Sequence, residues 1–273
     1  MKKSFGQHFL KDSTVVDQII AAANIQPNEL VVEVGPGAGA LTEQLMENGK
    51  WKKEDGHPRA GGDPASSGLV LIESDRDLIP KLSSKFPSAT LIQADAAQVD
   101  YDAIVHDRPW VFVSNLPYNA GNAILETVLQ SKNLPSRLVI MVQKEVGERM
   151  MAKPGDMSVL SVAIQLYCSI EPICTVGPEA FSPPPKVDSI VLRLTPLRPT
   201  TYALRPEPII SLAKIGFSHR RKQLRQTLAQ GTGASVEVID AALAKIGVEK
   251  TARPQELSIA QWQELCEIFT QSS

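Results

Sequence analysis

Five short runs dominate the first half of the chain: ELVVEV (29–34), LVLIE (69–73), TLIQ (90–93), WVFV (110–113) and RLVIMVQ (137–143). They are apolar at nearly every position rather than at alternate ones. A strand with one wet face alternates, whereas a strand buried on both faces does not. Helix-period stretches separate several of them: STVVDQIIAAAN (13–24), capped by Asp12 or Ser13, GALTEQLMEN (39–48), a helix near 75–86 and another near 120–131. Strand–helix alternation of this kind predicts an α/β fold, a parallel sheet with helices on both faces.

The order changes after about residue 168. IEPICTV (170–176) and SIVLRLTPL (189–197) are strands joined by a proline-rich loop with no helix between them, and are expected to form an antiparallel pair at one sheet edge. From Pro206 onward the period is helical. The polar stretch RPTTYALRPEP (198–208) therefore marks a boundary, with a catalytic-type domain over 1–200 and a small all-helical domain over 201–273. A length of 273 residues suits one large and one small domain. GKWKKEDGHPRAGGDPASSG (49–68), rich in glycine, proline and charge, is expected to be a flexible insertion.

Composition excludes little. A hydrophobic content of 43% and a charged content of 21% are ordinary for a globular protein. No apolar run approaches the ~20 residues of a membrane span, and the basic MKKSFGQHFLKD lacks the apolar core of a secretory signal. Cys168, Cys174 and Cys266 are far apart, which predicts reduced structural thiols in a cytoplasmic protein with no metal site. The net charge of −2 gives no general attraction to nucleic acid, so such a partner must rest on local charge.

The chemistry lies at the carboxyl ends of the predicted strands, where open α/β sheets bind ligands. EVGPGAG (33–39) follows the first of them and lets backbone approach a ligand. A G-x-G alone also serves as a plain strand–helix turn. Pro36, and Ala40 with Leu41 after Gly39, depart from the dinucleotide fingerprint. Glu73 ends the next strand, where a carboxylate can accept both ribose hydroxyls, and Asp95 follows the third, where it can accept an adenine amine. Either acid alone is more often a cap; together with the glycines they describe an adenosine.

SNLPYN (114–119) ends the fourth. The Asn115 side-chain oxygen and the Leu116 carbonyl can each accept one N–H of an exocyclic amine. That localises the nitrogen lone pair toward an incoming methyl and stabilises the charge that builds there. Pro117 fixes the angle between the two acceptors, and Tyr118 offers a face on which a base can stack. On that account the Tyr118 hydroxyl has no task, and Tyr118→Phe should be nearly silent.

With these motifs in place the chain resembles the KsgA family of small-subunit ribosomal RNA adenine dimethyltransferases, from Ser4 to about Ile246. The resemblance rests on FGQHFL (5–10), EVGPGAG, NLPY, QKEV (143–146), AFSPPPKVDS (180–189) and FSHRRKQL (217–224). It implies a Rossmann-like class I fold that uses S-adenosylmethionine. His8, Leu10, Gly35, Gly37, Glu73, Asp95, Ala96 and Asn115 would then line the cofactor site. Asn115, Leu116, Pro117 and Tyr118 would serve catalysis, with Phe181 packing on the target base opposite Tyr118. The implied product is N6,N6-dimethyladenosine at two adjacent positions near the 3′ end of small-subunit rRNA, made by a monomer that takes part in small-subunit biogenesis.

Local charge agrees: Lys214, Arg220, Arg221, Lys222 and Arg225 form a basic stretch without an acid, suited to phosphates, and Lys2, Lys3 and Lys11 can border the same cleft. A solvated helix face is the plain alternative. The competing functions are an NAD-dependent oxidoreductase, a non-catalytic ribosome-assembly or transcription factor on the same fold, and a DNA adenine methyltransferase. The last usually carries P-P-Y or P-P-F where this chain has Leu116-Pro117-Tyr118. Macrolide-resistance rRNA methyltransferases share an N-[LI]-P-[FY] motif but typically lack the full FxPPPKVDS.

Overall fold

The computed structural model describes residues 8–48, 68–197, 206–219 and 221–271. The expected insertion at 49–68 lies, apart from Gly68, outside them, as do Lys2, Lys3 and Arg220. In chain order the elements begin with β1 (Phe9–Leu10), α1 (Ser13–Ala23), β2 (Leu30–Val34), α2 (Ala40–Asn48), β3 (Leu69–Glu73), α3 (Ile79–Lys85) and β4 (Thr90–Gln93). They continue with α4 (Tyr101–Val105), β5 (Trp110–Asn115), α5 (Gly121–Leu129), β6 (Arg137–Gln143), α6 (Lys144–Met150), α7 (Val159–Tyr167), β7 (Cys168–Val176), β8 (Phe181–Ser182) and β9 (Ser189–Pro196). The remaining helices are α8 (Pro206–Gly216), α9 (Leu224–Thr232), α10 (Val236–Lys245) and α11 (Ile259–Gln271).

Seven strands form one sheet in the order β4-β3-β2-β5-β6-β9-β7, and β1 pairs with β8 in a small second one. Strands β4 to β6 run parallel, while β9 lies antiparallel to β6. Because β2, β3 and β5 lie side by side in register, their carboxyl ends come out together. Alternate residues Val31, Leu69, Leu71, Val111, Val113, Val139 and Met141 join Val16, Ile19, Leu41 and Leu45 of α1 and α2 in one core. On the opposite face the Tyr101 ring of α4 meets Phe112 edge-on, with ring centroids 6.3 Å apart. Both faces being covered is why these strands lack alternation.

Asp12 caps α1, its carboxylate accepting from the Thr14 and Val15 amides. The buried Glu29 carboxylate meets Arg137 Nη1 at 3.0 Å, joining the entry of β2 to that of β6.

Residue contacts divide the chain into two units: Met1–Lys144 with Ile170–Pro196, and Glu145–Ser169 with Leu197–Ser273. The sequence-based boundary at 200 lies close to the third crossing, after Pro196, but does not separate 145–169. In the second unit Met157, Val162 and Leu166 pack in one core with Leu212, Phe217, Leu228, Leu243 and Trp262. Among the described residues no helix is long and apolar enough to cross a membrane, and no group of metal-binding side chains occurs.

Candidate active site

The carboxyl ends of β2, β3 and β5 and the loop after β4 open onto a cavity of about 580 Å³ in the first unit, the size range of small-molecule and cofactor sites. Its wall contains His8, Leu10, Gly35, Gly37, Glu73, Asp95, Ala96, Asn115, Leu116, Pro117, Tyr118 and Phe181. Every cofactor and catalytic residue singled out from sequence thus borders one space, although those residues span more than 170 positions of the chain.

The turn after β2 has φ of +57° at Gly37, and a Cβ there would sit 3.0 Å from the Phe9 ring. At Gly39 φ is +87° and a Cβ would lie 2.5 Å from the Phe86 ring. Both positions need glycine on conformational and steric grounds. The buried Glu73 carboxylate accepts from the Asp75 amide at 2.9 Å and from the Gly37 amide at 3.4 Å, which ties the tip of β3 to the glycine turn. Asp95 accepts from the Ala97 amide and the Gln98 side chain, so it shapes its own loop while bordering the cavity.

Around NLPY the backbone is anchored on both sides. The Leu116 amide donates to the Met141 carbonyl at 3.0 Å, and the Pro117 carbonyl accepts from the Ala120 and Gly121 amides. Among the described residues neither the Asn115 side-chain amide nor the Leu116 carbonyl is engaged in a hydrogen bond. The Tyr118 ring is 38% exposed, whereas Phe181 is buried and sits in the core beside Leu10 through the β1–β8 pairing.

Glu33 went unassigned in the sequence reading. It is buried, borders the cavity, and accepts from the Thr42 hydroxyl at 2.7 Å. Burial pushes its carboxyl up to about 8, with the Thr42 hydrogen bond acting against that and the charge of Glu73 adding to it. In a strand buried throughout, no periodicity distinguishes an inward acid from its neighbours; its presence among Leu30, Val31, Val32 and Val34 was the available signal.

A family model for ribosomal RNA adenine dimethylases matches residues 1–53 and 63–271. The chain belongs to this family. The ribosomal RNA small subunit methyltransferase A of Synechococcus elongatus is 39% identical over 97% of this chain and 94% of its own length. Its counterpart in Dehalococcoides mccartyi is 37% identical over 97% and 87%. Among solved structures, a dimethyladenosine transferase from Plasmodium falciparum superposes with a TM-score of 0.77 at 22% identity, covering 97% of this chain and 98% of that one. The 23S rRNA methyltransferase ErmE gives 0.69 at 24%, covering 96% and 99%. Both are likenesses of fold, that of class I methyltransferases.

This rRNA adenine dimethylase is accordingly an S-adenosylmethionine-dependent methyltransferase, and the cavity suits that cofactor. The carboxylates of Glu73 and Asp95 line it beside the protonated Glu33, and no lysine or arginine does among the described residues. Such a wall repels a pyrophosphate and accepts a net cation, which S-adenosylmethionine is. The segment of the dimethylase left unmatched, 54–62, falls within the glycine-rich stretch. The basic stretch belongs to the second unit: Lys214, Arg221 and Lys222 are exposed, while Arg225 faces Asp240 Oδ2 at 3.2 Å.

Proposed function

We propose that this chain transfers methyl groups from S-adenosylmethionine to N6 of two adjacent adenosines near the 3′ end of small-subunit rRNA, dimethylating each, during assembly of that subunit. The observation that carries the reading is the pair of open acceptors at the tip of β5, Asn115 and Leu116, bordering the same cavity as the glycine turn, Glu73 and Asp95. The name shared by the relatives supports the choice of subunit.

When bound, the cofactor supplies an electrophilic methyl on a sulfonium. Everything else falls to the chain. Glu73 accepts from the ribose hydroxyls, and Asp95 with the backbone at Ala96 receives the adenine. Gly35 and Gly37 hold the methionine end, while His8 and Leu10 line the cofactor site. In the first transfer Asn115 and the Leu116 carbonyl accept the two N6–H bonds of the target, and in the second they share the one that remains. Each time they draw the lone pair out of conjugation and stabilise the positive charge as nitrogen becomes tetrahedral, after which that nitrogen releases a proton to solvent. Pro117 holds the angle between those acceptors. Tyr118 and Phe181 flank the target base, which must leave its own stack to reach them. Lys214, Arg220, Arg221, Lys222 and Arg225 contact rRNA phosphates, Arg225 only where it can be shared with Asp240. We take the enzyme to be a cytoplasmic monomer; the free thiols of Cys168, Cys174 and Cys266 are in keeping with a reducing compartment.

Incubation of the protein with labelled S-adenosylmethionine and undermethylated small subunits, with large subunits in parallel, tests this. Nucleoside analysis should yield N6,N6-dimethyladenosine from the small subunit. Label confined to the large subunit, or no labelled adenosine at all, refutes the assignment.

A further inference from the structure

Among the described residues Tyr118 carries the only exposed Phe, Tyr or Trp ring. A ring in that position would ordinarily sample several rotamers, yet this one is tethered. Its hydroxyl lies 3.1 Å from Oγ of Ser189, a wholly buried residue. Ser189 opens β9 opposite Gln143 of β6, and the residues just outside the two strands are tied too, the Lys144 amide donating to the Asp188 carbonyl at 2.9 Å. The anchor therefore sits on a rigid part of the sheet. Tyr118 borders the cavity and Ser189 does not. The hydroxyl is thus directed out of the cavity, leaving the ring to face it.

The same segment holds a second ring. The Pro183 carbonyl lies 2.7 Å from His8 Nδ1, so that nitrogen carries the proton, and the His8 and Tyr118 centroids are 6.0 Å apart. Residues 181–189 thereby contribute Phe181 to the cavity wall, Pro183 to His8 and Ser189 to Tyr118.

We propose that Ser189 is a positioning residue for methyl transfer: through the Tyr118 hydroxyl it fixes the ring at the cavity mouth before the target base arrives. A ring fixed in advance loses less freedom when a base stacks on it. The proposal rests on the reading of Tyr118 as the stacking face. It also replaces the expectation that Tyr118→Phe is nearly silent, because the hydroxyl now has a partner.

The test compares Tyr118→Phe, Ser189→Ala, the double variant and Tyr118→Ala in methylation of undermethylated small subunits. Tyr118→Phe and Ser189→Ala should each lower kcat/KM for the subunit by about 3- to 10-fold, the scale of one neutral hydrogen bond. The double variant should be no worse than either, since both remove the same contact. Affinity for S-adenosylmethionine should not move. Wild-type turnover in Ser189→Ala, or losses that multiply in the double variant, would overturn the positioning role while a damaging Tyr118→Ala leaves the stacking reading standing. Wild-type turnover in Tyr118→Ala would remove the stacking reading itself. An independent measurement needs no turnover: with 3-fluorotyrosine incorporated at the four tyrosines, the ¹⁹F resonance missing from Tyr118→Phe should shift in Ser189→Ala while the other three stay. An unmoved Tyr118 resonance refutes the tether directly.

Discussion

On the proposed mechanism, a single amide oxygen at Asn115 separates a methylating site from a binding site. It acts chiefly on the charge that builds at the target nitrogen, so Asn115→Ala should lower turnover by roughly 10²-fold or more, with the fold and most cofactor affinity intact. Single-turnover methylation and a thermal melt check both halves of that statement. Glu73 ties the tip of its strand to the glycine turn, and on the proposed reading it also binds the ribose, so its variant should show both effects. Glu73→Ala should weaken S-adenosylmethionine by about 2–3 kcal/mol in calorimetric titration, as charged hydrogen bonds to two hydroxyls are lost. Stability should fall as well, because the Gly37 and Asp75 amides lose their acceptor. Glu33 makes the protein without cofactor sensitive to pH. Its folded carboxyl keeps a proton up to about pH 8, whereas the unfolded chain releases it near 4.5. Between those values the folded state binds the extra proton, so this contribution to stability is full below the window and is lost as pH rises through it. Urea unfolding across that range should show a flatter pH dependence for Glu33→Gln than for the wild type. That Asn115, Glu73 and Asp95 come together around one cavity was legible from sequence, because they stand at strand tips, where such sheets bind ligands. Ser189 was not, since nothing in a serine 71 positions from Tyr118 announces that the two hydroxyls meet.

The strands of the parallel sheet were legible from their apolar runs. TLIQ and RLVIMVQ match β4 and β6 residue for residue. The helix expected from Asp75 begins only at Ile79, because Asp75 folds its own turn: its side chain accepts from the Asp77 amide and its carbonyl from the Leu78 amide. The five-residue α4 is too short to show a period, and two-residue β1 and β8 have none. Helix α7, VLSVAIQLY, is apolar over most of its length and runs straight into a strand, a case in which periodicity cannot choose between states. The glycine turn between β2 and α2 carries the prediction at this scale. Gly39→Ala adds both a left-handed strain and a clash with the buried Phe86 ring, and should cost about 2–3 kcal/mol. The urea midpoint would register it, with Gly155→Ala, where a Cβ meets nothing within 4 Å, as the control that shows strain alone.

Over the whole molecule the chain does not finish one unit before starting the other. It leaves the first at Lys144, contributes 145–169 to the helical unit, returns for Ile170–Pro196 and leaves again. A cut at residue 200 therefore strands Met157, Val162 and Leu166 without the core they share with the later helices. A 1–200 fragment should bind a hydrophobic dye and elute as aggregates on size exclusion, while the full chain does neither. A well-behaved fragment would mean that 145–169 needs none of those partners. Contiguity in sequence was the assumption that hid this arrangement: helical spacing marks where helices lie, not which core they enter. The antiparallel strand β9 gives the arrangement a consequence in time. During synthesis the glycine turn, Glu73, Asp95 and NLPY all emerge before residue 120, yet the free edge of β6 stays unpaired until residues 189–196 arrive. Residues 181–189, ending at the start of that strand, bring Phe181 to the cavity wall and Ser189 to Tyr118. A nascent chain can thus display the glycine turn, Glu73, Asp95 and NLPY and still lack the strand that covers the edge of β6.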